Sequence, residues 1–100
     1  ASDAIFELFA DTGTIQFEEN FNQLFGYDLH NRRDNIQKWW PNVHPSDLGP
    51  FHEEVKRVFK SNEAFLKFQF RLLKANGLYA RVEVRCYLIR NTTGRVYRIV

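Results

Sequence analysis

A histidine and a carboxylate stand three residues apart within residues 40–47, close enough in sequence to act together in chemistry. Such a pair could titrate as a switch or bind a ligand. Polar side chains at the start of a helix have a commoner use, because they satisfy backbone N–H groups that lack partners in the first turn. We therefore predict a structural role, at the start of a helix, for Trp40, His44, Pro45 and Asp47.

Two further side chains with ligand chemistry, His52 and Cys86, are single candidates. A lone histidine rarely binds a metal without supporting groups, so we predict that His52 lies on the solvent side or at an edge. Cys86 is the only cysteine, which excludes an internal disulfide and a cysteine zinc cluster and agrees with a reducing compartment. On the core side of a strand this thiol would be a small, inert hydrophobe. No metal site is predicted.

The sequence shows none of the spacings that indicate catalysis. A nucleophile with its base, paired acids, a glycine-rich phosphate loop and a zinc set are not recognisable, so we predict that this fragment is not an enzyme. The 14 basic and 12 acidic residues leave a net charge of +2, which argues against a nucleic-acid surface. No stretch approaches the roughly 20 apolar residues of a membrane span, so no membrane contact is expected of this fragment.

The N-terminal half combines a hairpin with short helical turns. Apolar residues within 5–9 and 14–17 flank a turn at 11–13, which predicts two paired strands. Asn20 is placed to be the N-cap of a short helix over residues 21–25, which Gly26 would end in a left-handed conformation. Residues 27–35 are polar and aperiodic. A further turn over residues 36–40 would end at Pro41.

One amphipathic helix follows, with apolar residues at spacings of three and four: Leu48, Phe51, Val55, Val58 and Phe59. Pro50 has no N–H to donate and crowds the preceding turn. We therefore predict that the regular helix begins near Pro50, after a separate turn over residues 44–49.

The C-terminal half has a period of two. Residues 64–73, 78–89 and 95–100 alternate, with turns at Asn76-Gly77 and at 91–94, and predict a three-stranded meander. The predicted core side of the middle strand is Leu78, Ala80, Val82, Val84, Cys86 and Leu88. With the first hairpin, this order predicts an α+β fold: a five-stranded antiparallel sheet with helices on one face. One hundred residues have room for one core, so we expect residues 1–100 to form a single domain.

Several stretches together carry a resemblance to a known family. They are Phe25-Gly26-Tyr27, then Trp40 with His44-Pro45-Ser46-Asp47, then Gly77-Leu78-Tyr79-Ala80-Arg81-Val82-Glu83-Val84-Arg85, and last Gly94-Arg95-Val96-Tyr97-Arg98-Ile99-Val100. In order and spacing, they resemble the sensory-box subtype of PAS domains over nearly the whole chain. Ser46 and Arg81 stand where that subtype usually has Asp and Trp.

The resemblance implies a non-catalytic sensory and dimerisation module of a bacterial signalling protein. Its output would be a GGDEF-type diguanylate cyclase, with or without an EAL phosphodiesterase, or a histidine kinase. We expect it in the cytoplasm, free or as the cytoplasmic part of a membrane-anchored receptor. The chain begins without Met and ends on Val100 in mid-strand, so we interpret it as a module cut from a longer protein.

The resemblance also implies where a ligand and a partner would bind. A pocket between sheet and helices would take a small apolar or flat aromatic ligand, unless these side chains simply fill the core. Its candidate lining is Phe17, Phe21, Phe25, Val55, Phe59, Phe68, Phe70, Val82, Val84 and Cys86. A homodimer or an adjacent helix would meet the outward face of the penultimate strand, through Tyr79, Arg81, Arg85 and Tyr87.

No cofactor is required by this interpretation. Haem-binding PAS domains place a ligand on the long helix, where His52 lies, but a haem site is not expected here. Flavin adducts need an Asn-Cys-Arg motif on a helix, whereas Cys86 lies in a predicted strand. The alternative is a small α+β ligand-binding enzyme of cystatin-like or ketosteroid-isomerase-like shape. That enzyme would need a buried carboxylate, and the predicted inward faces carry none.

Overall fold

The protein is an antiparallel β-sheet with helices packed on one face, in a computed structural model that describes residues 3–28 and 33–100. The α+β class of the prediction is confirmed. Single turns of 3₁₀ helix lie at Ile36–Lys38 and Trp40–Asn42. The remaining elements, in chain order, are β1 (Phe6–Phe9), β2 (Thr14–Phe17), α1 (Asn20–Phe25), β3 (Arg33–Asn35), α2 (Pro45–Lys60), β4 (Phe65–Leu73), β5 (Tyr79–Arg90) and β6 (Val96–Ile99).

The described sheet has six strands, in the order β3-β2-β1-β6-β5-β4, rather than the five that were predicted. The additional strand, β3, lies in the segment 27–35 that was predicted to be irregular, of which residues 29–32 are outside the described residues. The three residues of β3 are all polar, so they show no alternation of apolar and polar side chains. β3 forms because β2 offers it an edge, with Asp34 opposite Ile15, and because the Ile36 N–H donates to the Gly13 carbonyl at 2.8 Å.

Helix α1 ends as predicted but begins differently. Gly26 adopts φ 78°, and its N–H donates to the Asn22 carbonyl at 2.8 Å. The prediction of Asn20 as N-cap is wrong, because Glu19 already has helical backbone angles and occupies the cap position without a side-chain hydrogen bond. The Asn20 side chain instead donates to the backbone carbonyl of Asp3.

Helix α2 is one continuous helix of 16 residues, so the predicted separate turn at 44–49 and start near Pro50 are wrong. Its first residue is Pro45, where the missing N–H costs nothing. A residue before proline is usually kept out of the helical region by its Cβ. Gly49 has no Cβ, which relieves that clash and lets the helix pass through Pro50.

The C-terminal meander has the predicted alternation. β4 and β5 pair from Phe65 with Tyr87 to Leu73 with Tyr79, and the even-numbered residues of both strands face the helices. Leu78 is the exception: it is 63% exposed, because it precedes β5 in the turn. A bulge between Ile89 and Arg90 shifts the register with β6.

The core between sheet and helices consists of two hydrophobic clusters. The α2 cluster contains Phe51, Val58, Leu66, Cys86, Leu88, Val96 and Ile99. The α1 cluster contains Ile15, Phe17, Phe21, Trp39, Val43 and Leu72. Both lie on the same face of the sheet, and no helix of the described residues covers the other face, which is called the open face below.

Candidate functional site

The segment before α2 is tied to the edge of β4 by backbone and side-chain bonds. The His44 N–H donates to the Arg71 carbonyl at 2.9 Å, and the Arg71 N–H donates to Asp47 Oδ2 at 2.8 Å. Arg71 also donates from Nε and Nη2 to the two Asp47 oxygens, at 2.9 and 2.8 Å. These bonds hold the pKa of Asp47 at about 2, below its ordinary 3.8, chiefly through the Arg71 side chain.

The other residues of this segment hold α2 in place. His44 is the N-cap of α2, and its Nδ1 accepts from the Ser46 N–H at 3.0 Å. Trp40 packs its ring edge-on against Phe51 at 5.8 Å and against His52 at 4.7 Å. His52 is half-buried beside that ring. Asp47, predicted to act within the helix start, instead joins it to a strand 24 residues later.

The ten candidate pocket residues lie on the helix side of the sheet, divided between the two clusters. Phe70 packs against both clusters. Phe17 and Phe21 belong to the α1 cluster, and Phe25 and Val82 pack against it. Cys86 belongs to the α2 cluster, and Val55, Phe59, Phe68 and Val84 pack against it.

Aromatic rings in the α1 cluster are in direct contact. Phe17 and Phe21 stack with 4.0 Å between ring centroids, and Trp39 stands edge-on to both, at 5.0 and 5.3 Å. Trp39 Nε1 is buried and has no hydrogen-bond partner among residues 3–28 and 33–100. At the margin of this cluster, the Tyr27 hydroxyl donates to the Leu73 carbonyl at 2.5 Å, and burial raises the pKa of Tyr27. Sequence reasoning did not select Trp39 or Tyr27.

The α2 cluster is packed in the same way. Phe51 stacks between Phe68 and Phe70, with centroid separations of 5.2 and 4.8 Å. Cys86 is 1% exposed, and burial raises the pKa of its thiol to about 11. The thiol is therefore protonated at neutral pH and is not a nucleophile there.

The open face of the sheet carries all four candidate interface residues. Tyr79, Arg81, Arg85 and Tyr87 are exposed along β5. Tyr87 is 61% exposed, and its ring lies 5.2 Å from that of Phe65 on β4, which is 41% exposed. On the other side of Tyr87, Val100 is 38% exposed and pairs with Tyr87 through two backbone bonds of 2.8 and 3.1 Å. Phe65 on β4, Tyr87 on β5 and Val100 directly after β6 thus form an exposed apolar row.

Two charged residues missed by sequence reasoning join distant elements. Arg90 donates to four backbone carbonyls, among them Val58 and Phe59 at the end of α2, at 2.9 and 3.2 Å. Arg98 on β6 pairs with Glu7 on β1, with its Nε 2.9 Å from Glu7 Oε2. No local sequence pattern indicates the contacts of either arginine.

Residues 3–28 and 33–100 contain no group of three or more His, Cys, Asp or Glu side chains that could hold a metal ion. Within the same ranges, no helix is both long and apolar enough to cross a membrane.

Comparison with known proteins places this architecture in one family. No curated protein matches the sequence. A sensory box histidine kinase/response regulator from Burkholderia thailandensis E264 has a TM-score of 0.85 and 19% identity, covering 99% of this chain and 72% of that one. The N-terminal domain of a diguanylate cyclase with a PAS/PAC sensor from Marinobacter aquaeolei gives 0.81 and 16%, covering 97% and 89%.

A third structure, the domain of a putative light and redox sensing histidine kinase from Haloarcula marismortui, has a TM-score of 0.77 and 20% identity, covering 99% of this chain and 85% of that one. At these identities the structural likeness establishes the fold. A sequence model of the PAS fold matches residues 14–100, which is most of the chain. The chain belongs to the PAS fold family.

Proposed function

We propose that this PAS domain is a sensory and dimerisation module within a longer signalling protein of the cytoplasm, and that it relays a ligand or partner signal to an attached output domain. The output we propose is a diguanylate cyclase, with or without a phosphodiesterase, or a histidine kinase. Two of the similar structures come from proteins named as histidine kinases and one from a diguanylate cyclase. The observation that carries the proposal is the exposed apolar row on the open face of the sheet.

This apolar row has the composition of an interface. Phe65, Tyr87 and Val100 are large apolar side chains exposed side by side, and Arg85 lies beside Tyr87 along β5. Aromatic residues and arginine are enriched at protein interfaces, and contiguous exposed apolar patches commonly mark such sites. A second copy of the chain would cover this row.

The same row offers a route to an output domain. Val100 follows β6, and β6 lies between β1 and β5 in the sheet. A segment attached after Val100 would leave beside Tyr87, so its direction would depend on how two copies meet. A shift in the packing of the sheet against its helices would then reach the output domain.

The signal would enter on the opposite face. A small apolar or aromatic ligand would bind among the rings of the α1 cluster, and the free Trp39 Nε1–H would donate to a polar atom of that ligand. The alternative enzyme of ketosteroid-isomerase-like shape requires a buried carboxylate. Within residues 3–28 and 33–100, no Asp or Glu is buried, which favours the sensory function.

Dimerisation is tested by sedimentation of the double variant Arg81→Glu/Tyr87→Ala. Reversing one charge and removing one ring from the open face should weaken association by about tenfold or more, which corresponds to the loss of about 1.4 kcal/mol or more of interface energy. A matched control, Lys56→Glu/Leu78→Ala, makes the same kinds of change at exposed positions on α2 and in the turn before β5. If both variants associate like the unaltered protein, the sheet-face dimer is excluded.

The ligand is tested by native mass spectrometry of protein purified from cells. A sensor with an occupied pocket should carry an added mass that is lost on denaturation. Trp39→Phe keeps the ring but removes the indole N–H, and should reduce the occupied fraction. A mass equal to that of the chain alone under gentle conditions would contradict an occupied pocket.

A further inference from the structure

A cleft of about 620 Å³ lies over the paired strands β4 and β5, and two arginines line it. Arg71 and Arg81 belong to the open face of the sheet, and so do Gln69 and Glu83, which border the same cleft together with Asp47. Phe70 and Val82, which pack against the aromatic clusters, also line the cleft, so the cleft adjoins those clusters while its two arginines lie on the open face.

The two arginines stand directly opposite each other in the strand register. The backbone N–H and C=O of Arg71 bond to Asp47 and His44, away from β5. Arg71 and Arg81 are therefore a non-hydrogen-bonded pair, the kind in which opposite side chains come closest. Like charges in such a pair repel each other unless an anion lies between them.

Their neighbours leave one positive charge unmatched. Arg71 uses Nε and Nη2 for Asp47, and its Nη1 has no partner within the described part of the chain. The Arg81 side chain makes no hydrogen bond or ion pair within the described residues. Glu83, on the same face of β5, is taken up by other groups: Gln69 Nε2 at 3.1 Å, Arg85 at 3.7 Å and Lys67 at 4.0 Å.

From this geometry, we propose that Arg71 and Arg81 bind the carboxylate or phosphate group of a small organic molecule on the open face of the sheet. Two oxygens of the anion would meet the fork of Arg81, and one would accept from Arg71 Nη1. Asp47 orients Arg71 and is a positioning residue. Because Asp47 and Glu83 add negative charge, the site takes one anionic group and disfavours polyanions.

The test is an amide NMR titration of the domain with inorganic phosphate and, separately, with acetate, at an ionic strength held constant with sodium chloride. Saturable shifts should appear at residues 69–71 and 79–83 and should be absent with chloride alone. Arg81→Gln should weaken binding by about tenfold, the effect of losing one charge-assisted pair of hydrogen bonds. Because the Arg81 side chain has no hydrogen bond or ion pair within the described part of the protein, this variant should keep its fold.

The matched control is Arg95→Gln. Arg95 is an exposed arginine near the opposite end of the meander, where it pairs with Asp11 at 3.2 Å, so this variant should bind like the unaltered protein. Repeating the titration in the Tyr87→Ala variant separates anion binding from dimerisation. Shifts that do not saturate, or that survive Arg81→Gln unchanged, would overturn the site without touching the dimer proposal.

Discussion

At the scale of single residues, Arg90 has the largest set of structural bonds among the arginines of β5. Its Nη2 donates to the Val58 and Glu63 carbonyls at 2.9 and 3.0 Å, and its Nη1 donates to Phe59 and Gly94 at 3.2 and 2.9 Å. The last carbonyls of a helix have no partners within the helix, and a cation there interacts favourably with the helix dipole. Arg90 thus fixes the end of α2 to the meander.

Replacing Arg90 by alanine should therefore destabilise the fold. With the carbonyls left without their donor, we expect the free energy of unfolding in urea to fall by about 2 kcal/mol. Arg95→Ala is the control, because its exposed ion pair should be worth about 0.5 kcal/mol or less. If the two substitutions lower the free energy of unfolding equally, the Arg90 hydrogen bonds contribute no more stability than an exposed ion pair.

The carboxylate of Asp47 should make stability depend on pH. Its pKa is about 2 in the folded protein, below the ordinary 3.8, because Arg71 donates to the charged form. A lowered folded-state pKa stabilises the fold above about pH 4, and this stabilisation is lost as pH falls towards about 2. Urea unfolding of the protein and of Asp47→Asn should therefore differ most near neutral pH and converge in acid. A difference that is independent of pH would contradict this role.

At the scale of elements, helix α2 contains a proline in its interior, directly after Gly49. Pro50 is the sixth residue of the helix, so the Ser46 carbonyl loses its donor. Because Pro50 is exposed, Pro50→Ala removes no core packing. We expect it to raise the free energy of unfolding by about 1 to 2 kcal/mol, the helical gain being reduced by the greater freedom of the unfolded chain. A loss of stability in urea would mean that proline fixes the local geometry.

The sequence predicts elements well where a local period exists. β4, β5 and the open face with Tyr79 and Tyr87 follow from alternation. β3 has no such period and depends on an edge that β2 supplies. The predicted start of α2, near Pro50, comes later in the chain than the observed start at Pro45. The prediction rested on the effect of proline alone, whereas Gly49, which lacks a Cβ, allows the helix to continue through Pro50. Contacts such as that of Asp47 with Arg71 join residues 24 apart, and no local pattern reports them.

At the scale of the whole molecule, the two faces of the sheet have different surroundings. The helix side carries two aromatic-rich clusters, whereas the open side carries exposed rings, unmatched charge and the cleft. The proposed function and the proposed anion site together assign one kind of molecule to each side. The proposed apolar ligand and the proposed anion would therefore bind independently unless the sheet itself changes shape between them.

The place of β6 at the centre of the sheet also decides when the protein can fold. β1 reaches β5 only through β6, and the Arg98 to Glu7 pair spans 91 positions of the sequence. During synthesis on a ribosome, the hairpin of β1 and β2 is made early, and the edge of β1 stays unpaired until β6 has been made. Contacts this distant in sequence also slow folding. The complete sheet can therefore form only after β6, the last of its described strands in chain order, has been synthesised.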